Sequence, residues 1–564
     1  MRRNLEVFVL GGITSVLLLW VLTDILQVGN VFLKIAWFLL PFFAWHLIIK
    51  DKTERSTENI FLLHTIMVLI VLIWLFPVFI NHGVPLGKDF TKPFHDGMAV
   101  DIARHGIPSD NPEKIDILEY PNAMHTLGGF FAQLGFPLLH ANLAAIIFAM
   151  TINSYAAFLL LEYIYKDEKI AAIFAGTSSL VSFAIPYYTY LSPPQAFTFF
   201  LIIPSIYLFK RSIDDWRYGV GFALALSLIT ASYSGLSLLL LFLFVLSFAS
   251  FFIYFKKGLK KAIITAIITV LLISLVLAAQ SNIYWDNLSG ERNDCYDSSH
   301  YAFPIVPLLF FSLFCVSSFL FIKQKRYKSL LGITIVIFTL MLLSPIVYEL
   351  IFQSIHPYSS YEDCLEVDDD GMFGGWTHLR VHRVAFMQNF IFLLFLPALP
   401  FAFKKRRIMV ALLMIIALLF IGFNPVYETE PTDGRYELND IKNGPVEMTA
   451  PLFIYRSASW IEKGWSPELV DTLDEIYPSL SDKSRLVFVS YDKKQSFSHR
   501  WFIYLYLDKH YKYVLRPREF FAKYVFSYDY IISYPCRTEK IPRSYKMIRE
   551  EEDFCVLRSA QASS

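Results

Sequence analysis

Long unbroken apolar runs decide what this chain can fold into. About 17 to 25 apolar residues in a row can cross the hydrocarbon of a bilayer as a helix. Such runs recur near residues 7–27, 31–49, 60–80, 138–164, 169–187, 195–210, 218–234, 235–255, 261–280, 304–323, 329–351, 385–403 and 408–424. With 55% apolar and 17% aromatic residues among 564, the chain is too apolar for a water-soluble globule. The expected class is a polytopic α-helical membrane protein with about 13 spans. The first run follows the basic start MRRN, as in a signal peptide, but it is long and lacks a small-residue cleavage site, so it reads as a retained helix.

The polar connections divide into two sets. MRRN, KDKTERSTEN, YKDEK, KRSIDDWR, FKKGLKK, KQKRYK and KKRR fall between alternate runs, and the enrichment of Lys and Arg in short loops places that side, with the N-terminus, in the cytoplasm. The opposite side receives the segment 81–137, loops near 281–303 and 352–384, and the tail. The expected domains are a transmembrane unit over 1–424 and a small extracytoplasmic α/β domain over 425–564. Within the tail, SRLVFVSYD, YDYIISY and EDFCVLR read as strands, while FIYLYLDKHYKYV has helical length. Of five cysteines, Cys315 lies within a run, Cys295 and Cys364 lie in two outside loops, and Cys536 and Cys555 lie in the tail. An oxidising exterior permits the disulfides Cys295–Cys364 and Cys536–Cys555; the alternative is four free thiols.

The stretch GKDFTKPFHDGMAVDIARHGIPSD, residues 87–110, places Asp89, His95, Asp96 and His105 just beyond an apolar run. FHDGMAVDIARHG fits a short amphipathic helix, with Met98 and Ile102 on one face, ended by Gly106 before Ile107 and Pro108. Such a helix suits the membrane surface. YPNAMH, Tyr120 to His125, follows. Carboxylates at an interface can serve as a general base, or hold a metal or a sugar hydroxyl; the plain alternative is a solvated loop. A cationic counterpart appears in GGWTHLRVHRVAFM, where His378, Arg380, His382 and Arg383 sit just outside the twelfth run. Arginine forks bind phosphate bidentately and stay charged, although interfacial arginines can also simply snorkel. The acidic run Asp368 to Asp370 matches no complete calcium loop. No P-loop, HExxH, paired CxxC or nucleic-acid module is present.

A basic-side N-terminus, a large first outside loop with an early acid, about a dozen spans and an outside tail resemble the GT-C class of integral-membrane glycosyltransferases. The pattern Asp89-x5-His95, the helix end Gly106-Ile107-Pro108, and Tyr120-Pro121-x3-His125 are similar to the first loop of many prokaryotic members. The WWDYG signature of oligosaccharyltransferases is absent, which argues against a peptide acceptor of that kind. The resemblance implies transfer of a sugar from a polyprenyl- or dolichyl-phosphate donor to a glycan, lipid or protein acceptor at the outer face. It implies Asp89 as base with Asp96 second, His95 and His125 orienting the carboxylate or touching phosphate, and Tyr120 with His125 on the acceptor side. His378, Arg380, His382 and Arg383 would face the donor phosphate. A divalent cation, Mg or Mn, is a cofactor that such carboxylates can hold. Expected partners are the donor, the acceptor and membrane lipids, with no nucleic acid. Other readings stay open: a lipid-linked-saccharide flippase or transporter, a polysaccharide polymerase or ligase, and a receptor or scaffold. A transporter would place charges at mid-membrane in repeated halves, whereas here Lys34 and Glu162 are the ionisable groups read within the runs.

Overall fold

The computed structural model of the protein describes residues 2–49, 57–80, 91–107, 122–137, 140–178, 193–232, 259–280, 308–325 and 394–421. In the tail it describes 472, 475, 486–490, 511–515, 529–534, 536, 544–551 and 554–560. The helices are α1 (Arg2–Trp20), extended by a π-helical turn Val21–Ile25, then α2 (Val31–Ile48), α3 (Thr57–Ile80), α4 (Thr91–His105), α5 (Ala123–Gln133), α6 (Ala141–Tyr165) and α7 (Glu168–Gly176). They continue with α8 (Pro193–Phe199), α9 (Ile202–Asp214), α10 (Trp216–Ser232), α11 (Leu259–Ala279), α12 (Leu308–Lys323), α13 (Ala398–Ala402) and α14 (Arg407–Ile421).

Among the described residues, Arg3–Ile25, Val31–Ile48, Ala141–Tyr165 and Pro193–Asp214 are long and apolar enough to cross a membrane, and Glu58–Leu72 and Ile263–Ala279 are shorter apolar helices. The protein is therefore a helical membrane protein. The expected runs 235–255 and 329–351 lie outside the described residues; 169–187 is described only to Ser178, and 385–403 only from Leu394.

The spans differ in what surrounds them. α1 is largely buried, packing against α2, α5, α6 and α10. Small residues let it fit there: a Cβ at Gly11 would come within 3.1 Å of the Phe42 Cα on α2, and one at Gly12 within 2.8 Å of Ile152 on α6. α2 shows the opposite pattern, with Phe32 79% and Leu47 76% exposed and Phe43 beside them open as well. Each such side chain would cost roughly 1.5–3 kcal/mol facing water, so this face is the lipid face. Distant segments close on the same bundle: the Tyr165 hydroxyl donates to the Leu394 carbonyl (2.7 Å), and Arg407 pairs with Asp167 (3.0 Å).

The tail forms a five-stranded sheet from β1 (Leu486–Ser490), β2 (Tyr511–Leu515), β3 (Tyr530–Tyr534), β4 (Tyr545–Glu550) and β5 (Cys555–Ser559), in the order β2-β1-β3-β5-β4. β2, β1 and β3 run parallel, and β5 and β4 complete the sheet antiparallel. One expectation needs correction, and one strand was missed. The end of FIYLYLDKHYKYV is strand β2, not helix; its aromatic and β-branched residues suit a pleated surface, and pairing with β1 overrides the apparent helical length. β4 was not expected at all, since its lysine, arginine and glutamate mark it as an edge strand with a weak apolar signal. Cys536, just beyond β3, is disulfide-bonded to the fully buried Cys555 of β5. Cys295 and Cys364 lie outside the described residues.

The bridge closes a loop of sequence separation 19, which by chain entropy is worth about 3 kcal/mol. Replacing Cys536 and Cys555 together by serine should make the tail the first segment cut in limited proteolysis, with the membrane-embedded core still resistant. A tail as resistant as in the parent protein would show that the bridge adds no stability.

Candidate functional site

The site begins with the local chemistry of α4. Pro93 falls in its first turn, where a missing N–H is tolerated, and Met98, Ala99 and Ile102 form a buried face. That face lies hard against α5: a Cβ at Gly129 would sit 2.8 Å from Ile102 and 2.9 Å from the Ala99 carbonyl. Gly106, at φ +77°, ends α4 with its N–H on the Ile102 carbonyl (2.8 Å).

Both helices are tied to the corner between α1 and α2. The fully buried Lys34 of α2 donates to the Gly106 carbonyl, placing a cation at the negative end of α4. Gly29 in the corner packs so closely on Gly106 that a Cβ there would be 2.8 Å from the Gly29 carbonyl oxygen. A second tie holds the start of α5. Trp20 Nε1 donates to Asn122 Oδ1 (2.7 Å), and Asn122 Nδ2 donates to Asp24 Oδ1 (2.8 Å). Asp24 belongs to the π-helical turn, a local widening of the helix that often serves to present a side chain.

With both helices fixed, His95 of α4 faces His125 of α5. Their Nδ1 and Nε2 atoms are 3.0 Å apart and the rings stack at 5.1 Å, so one ring donates a hydrogen bond to the other. Both are buried, His125 completely. Burial first, and the neighbouring His95 second, hold the His125 imidazole well below its ordinary pKa of 6.5. Asn142, in the first turn of α6, donates through Nδ2 to the His95 carbonyl (2.8 Å) and to Asp96 Oδ1 (3.1 Å). The result is an oriented, buried carboxylate beside a buried imidazole pair, an arrangement able to hold or relay a proton. His105 lies one turn beyond Asp101 on the same helix, 3.7 Å from its carboxylate.

Of the residues singled out from sequence, His95, Asp96 and His125 come together here. Asp89, Tyr120, His378, Arg380, His382 and Arg383 lie outside the described residues. Asn142, Asn122 and Asp24 were missed. Asn142 and Asp24 sit at the ends of apolar runs, where single polar residues look like ordinary helix ends, so Asp24 joins Lys34 and Glu162 among the ionisable groups within spans. Among the described residues, no three His, Cys, Asp or Glu side chains converge as a metal site would require, and the paired nitrogens of His95 and His125 are directed at each other.

The neutral His125 has a pH consequence. Because its folded pKa lies below the unfolded value near 6.5, its contribution to stability is complete above that value. The contribution is lost as pH falls below about 6.5, by up to about 1.4 kcal/mol per pH unit. Thermal melting between pH 7.5 and 5 should therefore show a smaller decline for His125→Gln than for the parent protein. An identical decline would show that His125 is charged in the fold.

No family model matches the chain, and no curated protein matches it. Solved structures do. ArnT from Cupriavidus metallidurans, bound to undecaprenyl phosphate, superimposes with a TM-score of 0.53 at 11% identity, covering 89% of this chain and 98% of that one. The Archaeoglobus fulgidus oligosaccharyltransferase, in complex with Zn and sulfate, gives a TM-score of 0.42 at 12% identity over 83% of this chain and 68% of that one. The chain thus has the fold of ArnT, a membrane glycosyltransferase of the GT-C class.

Proposed function

We propose that the protein transfers a sugar from a lipid-phosphate-linked donor to a glycan, lipid or protein acceptor at the outer face of a membrane. The observation that carries this reading is the gathering of Asp96, His95 and His125 on two helices just beyond α3, within an ArnT-like fold. ArnT was solved with undecaprenyl phosphate, and a polyprenyl phosphate is the carrier class proposed here. The basic loops then lie in the cytoplasm, and α4, α5 and the domain over 425–564 lie outside.

In the proposed reaction the acceptor hydroxyl oxygen attacks the anomeric carbon of the sugar. The bond from that carbon to the phosphate oxygen breaks, and the carrier phosphate leaves with the electron pair. A carboxylate takes the hydroxyl proton: Asp89 is the proposed base and Asp96 the second candidate. His95 and His125 orient this group, and Tyr120 borders the acceptor. Arg380 and Arg383, with His378 and His382, neutralise the leaving phosphate. A Mg or Mn ion would add positive charge there, but the described residues do not form its site, and no step runs through it.

The test is single-turnover transfer from a panel of radiolabelled polyprenyl-phosphate sugars, with donor binding measured in the same nanodiscs. Asp89→Asn should slow transfer by about 100-fold or more while donor binding survives. Arg380→Ala and Arg383→Ala should weaken donor binding by about tenfold, and Asp96→Asn should leave partial activity. Parent-like transfer by both Asp89→Asn and Asp96→Asn would overturn the proposal.

A further inference from the structure

The opposite end of α1 carries a second polar constellation that sugar transfer does not use. A cavity of about 280 Å³ opens there between the last turn of α2 and the connection from α9 to α10. One wall is apolar, made by Leu10, Trp45 and Ile49; the other is polar, made by Arg211, Asp215, Arg217 and Tyr218. We propose that this cavity binds the phosphate of an anionic phospholipid.

The polar wall is built rather than merely exposed. Arg217 meets Asp215 through Nε (2.9 Å) and donates through Nη1 to the Ile48 carbonyl (2.6 Å), which fixes its fork across the gap to α2. Arg211 is steadied by the Tyr218 hydroxyl (3.1 Å) and by the buried Glu6 carboxylate (3.6 Å), while its buried Nε has no hydrogen-bond partner. Five basic side chains, Arg3, Lys210, Arg211, Arg217 and Lys261, gather at this end of the bundle against three acids, Glu6, Asp214 and Asp215. The excess favours a monoanionic phosphodiester, and Asp215 disfavours a more highly charged ligand.

Size and surroundings select a lipid. The cavity falls just under the range of about 300–1,000 Å³ usual for small-molecule pockets, so it suits a headgroup whose tails lie elsewhere. Beside the apolar wall, Leu47 and Ile48 carry the lipid-facing surface of α2 up to its rim, giving the acyl chains an apolar path. Trp45, its indole N–H on Thr14 Oγ1 (2.9 Å), is held firmly as part of that apolar wall. Basic pockets between spans are a known way to hold anionic headgroups.

Native mass spectrometry of the detergent-purified full chain tests this directly. The protein is titrated with phosphatidylglycerol, with phosphatidylcholine of the same acyl chains, and with glycerol phosphate alone. Phosphatidylglycerol should bind about fivefold more tightly than phosphatidylcholine, and glycerol phosphate should not displace it. Arg217→Gln removes one fork, and Ile49→Trp fills the cavity while leaving every charge in place; each should abolish the preference. Should Arg217→Gln fail to fold, Ile49→Trp decides alone. Equal binding of the two lipids, a preference unchanged in Ile49→Trp, or displacement by glycerol phosphate would overturn the proposal.

Discussion

The contact between the Lys34 ammonium and the Gly106 carbonyl is the constraint from which the arrangement of the candidate site follows. An ammonium buried away from water costs several kcal/mol, and a helix C-terminus returns only up to about 2 kcal/mol. Such a contact persists where the surrounding structure leaves the chain no alternative. Here Gly29 against Gly106 brings two backbones too close for any side chain between them, and the buried lysine donates to the Gly106 carbonyl at that junction. Its position fixes the end of α4. The Trp20–Asn122–Asp24 chain fixes the start of α5 from the same corner. The opposition of His95 and His125 is thus supported from the corner between α1 and α2.

The two polar clusters on α1 place the rest of the bundle. Glu6 and Asp24 are 18 residues apart, about 27 Å along a helix, close to the roughly 30 Å of a hydrocarbon core. At one end, Tyr207 and Tyr218 donate to Glu6 while Arg211 lies close by. At the other, Asn122 answers Asp24. Between them the helix is packed with apolar side chains and closed by glycines. α1 therefore acts as a spine whose ends carry its acidic groups, and the helices bearing their partners are aligned by it.

Much of this was legible in the sequence, because lipid punishes unpaired backbone so strongly that a run of apolar residues has few options beyond helix. The α4 helix and its stop at Gly106 were also readable, since amphipathic spacing followed by Gly and Pro is a local signal. What escaped was relational. Nothing local marks Asn142 as the partner of His95 and Asp96 from another helix, or Asn122 as the bridge to Asp24. In the tail, β2 was mistaken for part of a helix because its length and aromatic content suit either state. Only the β1 neighbour decides between them.

The likeness to ArnT at 11% identity follows from the same physics. A lipid-facing position such as Phe43 or Leu47 asks only for apolar character, so substitutions there drift freely without disturbing the fold. Close-packed positions are held more tightly, but by size rather than by identity: Gly11 must be small, and many different partners fit around it. Shared architecture can thus survive when almost every residue has changed, and by itself it says little about chemistry. The chemical content of this chain rests instead on a few positions where type and geometry are both specified. Asp96 is held by Asn142, and His95 meets His125, so replacing one partner leaves another buried polar group unanswered.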